Sequence, residues 1–381
     1  MAIDARSAVF PHRTGVGVYA RELIRRLPAV DGDARYVAWY LDARGVASGR
    51  RFFPDVPGLA ERPSAIPSRV FDRAVARLGL PRIEWLVRFD VLFAPNFVPP
   101  PTRAPRLVVT IHDLAFRLMP DTAPHAAPWW RRAVERAVAT AARIIVPSRA
   151  TRDDLVRLYG VDGSRVVVVP LAVDHERFRP PADGEVVAAR ASLGLDDRPY
   201  VLFLGLDRRK NLTAMLDAFS RLRRPTRPRL VIAGARPWEP DGRDRTAEAL
   251  DGLAPDVRDD VVRRGYVEPA VLPGLIGGAR ALVYPSRYEG FGLPALEAMA
   301  TGAPVVAGNV SSLPELVADA AILIDPDDPA GIADAVERVL DDPDLRARLR
   351  EAGLRRASGY TWEATARDTA AVIHEAMEST S

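Results

Sequence analysis

The chain reads as an α/β protein of doubly wound type, with the pattern laid down twice. Short β-branched runs alternate with longer helix-period segments along nearly the whole length. The runs are apolar without polar alternation, as in strands of a parallel sheet covered on both faces. The alternation restarts at Tyr200, after a stretch rich in Pro, Asp and Arg at 177–199. A length of 381 residues suits two domains. The expected division is 1–180 and 181–360, with a tail helix in 361–381 packing back toward the first domain.

In chain order, the first half offers strands at Met1–Ala5, Tyr36–Tyr40, Val91–Phe93, Leu107–Ile111, Ile144–Pro147 and Val166–Val169. The second half offers Tyr200–Gly205, Arg229–Gly234, Gly265–Val267, Ala281–Tyr284, Pro304–Ala307 and Ala321–Ile324. Each is short, rich in Val, Ile, Leu or aromatic residues, and bounded by turn formers. Ser148 stands where it would start a helix, and Leu212, Met215, Leu216 and Phe219 recur at helical spacing after the Tyr200 strand.

Composition removes several function classes. The formal charge is only +3, so a dedicated nucleic-acid binder is not indicated. Cysteine is absent, which excludes disulfides and thiolate metal sites. The N-terminus interrupts its first apolar run with Asp4 and Arg6 and lacks a signal-peptide layout. No window approaches the roughly 18 uncharged apolar residues of a membrane span. The simplest expectation is a cytoplasmic protein.

The segment 285–304 carries the chemistry. Glu289 lies on a glycine-containing loop, and Glu297 lies in the helix that follows. Pro294 suits a first helical turn, where its missing N–H costs nothing. The amides of Gly290, Phe291, Gly292 and Leu293 then sit at a helix N-terminus, which attracts anions. Glycine at 290 and 292 allows close backbone approach to a ligand. One carboxylate beside an anion cradle and a second deeper in the helix suit a ligand with phosphates in the middle and hydroxyls at both ends.

Lys210 is the sole lysine beside 52 arginines, and Asn211 is one of three asparagines. Where arginine has displaced lysine elsewhere, a retained lysine points to a need for a compact point charge, as on a phosphate. It precedes a helix, where the dipole disfavours a cation unless an anion intervenes. Asp325, Asp327 and Asp328 resemble a Mg²⁺ set, but Pro326 and Pro329 among them favour a solvated turn.

Together, Glu289-Gly-Phe-Gly-Leu-Pro with Glu297, Arg209-Lys210-Asn211 and Gly265-Tyr266-Val267 resemble retaining glycosyltransferase family 4, of GT-B fold. Thr14-Gly15-Val16-Gly17 with Tyr19, and His112-Asp113-Leu114, extend the resemblance through the first half. It implies two facing Rossmann-like domains with a cleft between them, acceptor in the first and nucleotide sugar in the second. It implies that Glu289 contacts the donor sugar, that the Gly290–Leu293 amides hold sugar hydroxyls and phosphate, and that Glu297 binds the ribose hydroxyls. Arg209 and Lys210 would neutralise the diphosphate. His112 would lie beside the sugar, Gly15 and Gly17 would let the first-domain backbone approach the diphosphate, and the Val267 backbone would touch the nucleobase. No metal or cofactor is implied. One departure is Leu206, where family members often carry arginine; Arg208 or Arg209 would supply that charge.

No well-placed nucleophile emerges, so a same-face mechanism is expected, the leaving phosphate oxygen taking the acceptor proton. Glu289→Ala is expected to abolish transfer and leave the fold intact. GDP-mannose is the first donor expected, with UDP- and dTDP-sugars open. The acceptor is a saccharide, lipid-linked or small-molecule hydroxyl. Trp129-Trp130-Arg131-Arg132, with Arg136 and Arg143, and the basic segment 69–89 could rest on an anionic membrane, against the plainer alternative of solvated arginines on packed helices. Two rival readings stand beside this. A pseudo-glycosyltransferase or non-catalytic nucleotide-sugar binder would share the same residues. An NAD-dependent oxidoreductase would use Gly15-Val-Gly17-Val-Tyr-Ala20 with Asp42, but the segment from Ala5 to Gly15 is long for that fingerprint and contains Pro11.

Overall fold

The computed structural model describes residues 1–10, 15–32, 34–104, 106–122, 128–224, 227–234 and 243–378. Thr14 lies outside them. The chain forms two compact units. The first comprises Met1–Leu114, Ala126–Leu171 and Trp362–Ser381, and the second Ala115–His125 and Ala172–Thr361. The division near Leu171 falls a little earlier than the 180/181 boundary read from sequence.

The first unit holds a seven-stranded sheet of β1 (Ala2–Asp4), β2 (Tyr36–Leu41), β3 (Leu59–Ser64), β4 (Leu92–Ala94), β5 (Leu107–Thr110), β6 (Arg143–Val146) and β7 (Val166–Val168), ordered β3-β2-β1-β4-β5-β6-β7. The second holds six strands, β8 (Tyr200–Leu204), β9 (Arg229–Ala233), β10 (Val261–Arg264), β11 (Ala281–Tyr284), β12 (Val305–Gly308) and β13 (Ala321–Ile324), ordered β10-β9-β8-β11-β12-β13. Every pairing is parallel. The strand order reverses between β1 and β4 and between β8 and β11. In such sheets the crevice at the carboxyl ends of these strand pairs is where ligands bind.

Two strands differ from the sequence reading, and both are sheet edges. β3, Leu-Ala-Glu-Arg-Pro-Ser, has no apolar run and was not expected. It is held by its register with β2 and by buried Glu61, which accepts from Tyr40 Oη at 2.7 Å and from the Phe52 amide at 2.9 Å. The edge strand expected at Gly265–Val267 instead runs over Val261–Arg264, half-buried throughout. Gly265–Val267 is therefore the loop leaving its carboxyl end.

Central strands are buried as their composition requires. Val201, Phe203, Leu230, Ile232, Ala281, Val283 and Val306 form one core with the helix Leu212–Ser220 and the helix Pro329–Asp341. In the first unit, Trp39, Tyr40, Phe71 and Phe93 are fully enclosed. The helix Trp362–Glu378 packs on the helix Gly15–Val30, where Arg26 pairs with Glu363 at 2.7 Å.

The sheet end at β8 and β9 needs two glycines. Gly205 has φ +89°, and Gly234 has φ +147° with its backbone against Gly205; a Cβ on Gly234 would lie 3.0 Å from Gly205 Cα. Gly234→Ala should cost about 1–3 kcal/mol of stability. Gly32→Ala, at an ordinary φ with no atom within 4 Å of the added methyl, should stay within about 0.5 kcal/mol; urea unfolding of both variants checks this.

Candidate active site

The loop after β8 is built to present Lys210. Asp207 caps a 3-10 turn over Arg208–Lys210, accepting from the Arg209 amide at 3.1 Å. Asn211 then adopts the left-handed region (φ 63°) and passes the chain into the helix Leu212–Ser220. The lysine stem runs beside Gly205, where a Cβ would sit 3.3 Å from Lys210 Cε. Leu206, at the departure from the family pattern, is buried in the core. Arg208 turns to the Asp121 carbonyl at 3.2 Å. Arg209 places Nη2 4.0 Å from Glu289 Oε2, so Arg209 is the arginine that faces the carboxylate.

The loop after β11 presents Glu289. Its amide donates to Ser311 Oγ at 2.9 Å, and its carbonyl accepts from Ser312 Oγ at 2.8 Å. Ser312 Oγ also reaches the Phe291 carbonyl at 2.9 Å. Gly292 follows at φ 111° and starts the helix Leu293–Thr301 with Pro294 in its first turn. A Cβ on Gly292 would lie 2.8 Å from Leu313 Cδ2, so glycine is demanded by both backbone and space. The Phe291 ring packs edge-on to Tyr360 at 5.8 Å. The Ala295 and Leu296 amides donate to the Gly292 carbonyl at 3.0 and 3.2 Å, and Pro294 has no N–H.

The two loops meet at the β8–β11 crevice. Lys210 Nζ donates to Glu289 Oε1 at 2.6 Å and also to the Tyr284 hydroxyl oxygen. The Arg287 amide donates to the Arg209 carbonyl at 2.8 Å, stitching the loop backbones. Burial by itself would raise the Glu289 pKa; the charges of Lys210 and Arg209 overcome it and hold the carboxyl down at about 2. Burial lowers the Lys210 pKa, opposed by Glu289 and reinforced by Arg209. The anion anticipated for a cation at this chain position is thus supplied by the protein itself.

Glu297 has the opposite environment. Burial pushes its pKa up to about 7, countered by the charge of Arg177. Among the described residues none hydrogen-bonds its carboxyl. Arg177 donates through Nε and Nη2 to the Pro269 carbonyl at 3.2 and 2.9 Å, which ties it to the loop that carries Val267.

In the first unit, His112 follows β5 and is buried. Its Nε2 lies 3.0 Å from the Pro95 carbonyl, which makes Nε2 the protonated nitrogen. Burial lowers its pKa, so the imidazole is neutral at pH 7. Tyr19 packs edge-on to it at 4.9 Å and Phe97 at 5.5 Å. Tyr19 stands on the helix Gly15–Val30, whose first turn holds Gly15 and Gly17. That unit therefore gathers Gly15, Gly17 and His112 through Tyr19, while the second gathers Arg209, Lys210 and Glu289.

Other candidates are absorbed structurally. Asp42 caps the helix Ala43–Ser48 and pairs with Arg50 at 2.7 Å. Asp325 accepts from the Asp327 amide, Asp327 pairs with Arg287, and Asp328 caps the helix Pro329–Asp341. Among the described residues no group of three or more His, Asp or Glu is arranged for a metal ion, and no helix is long and apolar enough to cross a membrane.

Sequence reasoning missed Tyr284, Ser311, Ser312 and Arg177. The serines stand just ahead of Leu313-Pro314 at a helix start, a visible signal; Tyr284 and Arg177 carry none.

Two parallel sheets, each with a strand-order reversal, one of them with cations and a helix N-terminus beside it, define the class of GT-B sugar transferases. Family models match along most of the length: Glycosyltransferase Family 4 over residues 13–177 and Glycosyl transferases group 1 over 188–356. The chain is 32% identical over 371 residues to O-antigen chain mannosyltransferase B of Escherichia coli, covering 92% of this chain and 93% of that one. It is 39% identical over 244 residues to a D-inositol 3-phosphate glycosyltransferase of Frankia alni, covering 61% and 58%. HepE from Anabaena, solved with UDP and glucose, superposes with TM-score 0.72 at 17% identity over 98% of both chains. The chain belongs to glycosyltransferase family 4. It is a retaining glycosyltransferase that takes its sugar from a nucleotide sugar.

The buried pair revises one expectation. Removing Glu289 would strand a buried ammonium, so substitution is not expected to leave the fold intact. Glu289→Gln should lower stability by about 3–5 kcal/mol. A carboxyl held at about 2, against an ordinary 4.5, contributes stability above pH 4.5 that is lost as pH falls from there toward 2. The Gln variant should lack that acid-labile part; urea midpoints measured across this pH range read it directly.

Proposed function

We propose that the protein transfers a mannosyl group from GDP-mannose to a hydroxyl of a saccharide or lipid-linked acceptor. The second unit holds the nucleotide sugar and the first the acceptor. The observation that carries this reading is the cluster of Arg209, Lys210 and Glu289 beside the N-terminus of the helix Leu293–Thr301, at the strand-order reversal of the second sheet. The similarity to the Escherichia coli O-antigen chain mannosyltransferase B favours mannose.

Lys210 and Arg209 take the diphosphate, with the Gly290–Leu293 amides completing the cradle. Charge grows on the leaving phosphate as the anomeric C–O bond breaks, and preorganised cations and amides stabilise it without reorganisation. Glu289 accepts from sugar hydroxyls. Held at about 2 and ion-paired, it is a weak base and a weak nucleophile. The acceptor hydroxyl therefore attacks on the face the diphosphate leaves, and its proton passes to the departing phosphate oxygen. His112, neutral with its Nε2–H on the Pro95 carbonyl, accepts from a sugar hydroxyl through Nδ1 rather than bearing charge. Glu297 binds the ribose hydroxyls as a carboxylate, near the Val267 loop that takes the base.

Calorimetric titration with GDP, UDP and dTDP tests this. GDP should bind tightest, and its affinity should rise between pH 6 and 8, since Glu297 must be ionised and its carboxyl titrates near 7. Glu297→Gln should flatten that dependence. Binding of UDP in preference to GDP would overturn the mannose donor; binding of none would overturn the site.

For the acceptor, an anionic membrane surface is favoured by the first unit's helix Ser68–Leu78, where Phe71 is the buried residue and Val70, Leu78 and nearby Trp85 are exposed among Arg69, Arg73, Arg77 and Arg88. The tryptophan pair is less available: Trp130 packs on Phe97 at 5.5 Å, and Arg143 pairs with Glu375. Flotation with anionic vesicles should carry the protein in low salt and release it in high salt; replacing Val70, Leu78 and Trp85 by Ser should abolish it. No flotation would end the membrane reading.

A further inference from the structure

Tyr284 is the last residue of β11, and its side chain is fully enclosed. A strand of Ala, Leu, Val and Tyr needs an apolar residue there, but a phenol brings more than area. Lys210 Nζ donates to the Tyr284 oxygen and lies 4.4 Å from the ring centre. Its other partner is Glu289 Oε1 at 2.6 Å. An ammonium has three N–H donors. Tyr284 and Glu289 take two and leave a third for a ligand.

We propose that Tyr284 is a positioning residue for the donor diphosphate, keeping the Lys210 ammonium in place at the β8–β11 crevice when Glu289 turns to the sugar. This rests on the donor site proposed above. A lysine side chain has four rotatable bonds and loses considerable freedom when fixed. In the donor-free site the carboxylate fixes it. Once Glu289 shares its oxygens with sugar hydroxyls, the buried ammonium keeps the neutral phenol oxygen as its second protein acceptor. A carboxylate in that place would hold the ammonium more tightly but would repel the diphosphate. A phenol does not, and burial together with the Glu289 charge pushes the Tyr284 pKa well above its ordinary value, so it stays neutral.

The charged groups acting on Lys210 are Glu289 and Asp207, which favour its charged form, and Arg209, which opposes it. Removing the Tyr284 oxygen takes one acceptor from the charged form. The ammonium should then deprotonate at lower pH.

Tyr284→Phe keeps the ring and removes the oxygen. The probe is whichever of GDP, UDP and dTDP binds the wild-type protein, titrated calorimetrically from pH 7 to 10. At pH 7 the Phe variant should bind about tenfold more weakly, the scale of a hydrogen bond to a charged group. Its affinity should also begin to fall at lower pH than that of wild type. The base ionises identically in both titrations, so the displacement reports Lys210. A general loosening of the fold would weaken binding without moving this alkaline limb. An unmoved limb, or unchanged affinity at pH 7, overturns the role of Tyr284 while leaving the donor site standing. Failure of wild type to bind any of the three removes the donor site and this role together.

Discussion

Everything at the second unit's crevice depends on one buried ion pair, Lys210 with Glu289. Burying two charges is costly, and the attraction between them offsets the cost only when the geometry is good and the remaining donors and acceptors are used. Here the ammonium spends two of its three donors on Glu289 and Tyr284, and the carboxylate has Arg209 4.0 Å away on its other oxygen. The pair joins the loop after β8 to the loop after β11, and the Arg287–Arg209 backbone bond joins them again. The cations are therefore preorganised, which suits the diphosphate role proposed for them.

The two glutamates show how one side chain serves two purposes. Glu289, beside two cations, is held at about 2, whereas Glu297, desolvated on a helix with Arg177 as its opposing charge, sits at about 7. Environments that push like groups apart in pKa are a common way to divide roles within one site. Glu289 is an anion held against Lys210 and Arg209, and on the proposed reading it also accepts from sugar hydroxyls. Glu297 is a carboxyl without a hydrogen-bonding partner among the described residues, suited to a diol.

Legibility from sequence followed burial. Interior strands such as β8 and β11 appear as apolar runs because both faces are covered. The edges β3 and β10 do not, since one side of each lacks a neighbour and neither strand needs a continuous apolar run. β3 even contains Pro63, which an edge tolerates. At the site, Glu289, Gly292, Pro294 and Glu297 were legible because a loop feeding a helix imposes local rules on spacing and residue type. Tyr284 was not, because inside an apolar strand it looks like any other core aromatic. Arg177 was not, because one arginine among 52 carries no mark.

The sequence by itself determined the alternation of strands and helices, the two-unit plan, the family, and the glycine loop feeding the helix Leu293–Thr301, since each rests on contacts within a few residues along the chain. Tertiary structure alone decided that Arg209 rather than Arg208 faces the carboxylate, that Lys210 meets a glutamate 79 residues away, and that the two glutamates differ by several pKa units. Those outcomes depend on charge and burial supplied through space by distant segments, and local sequence rules do not encode such distances.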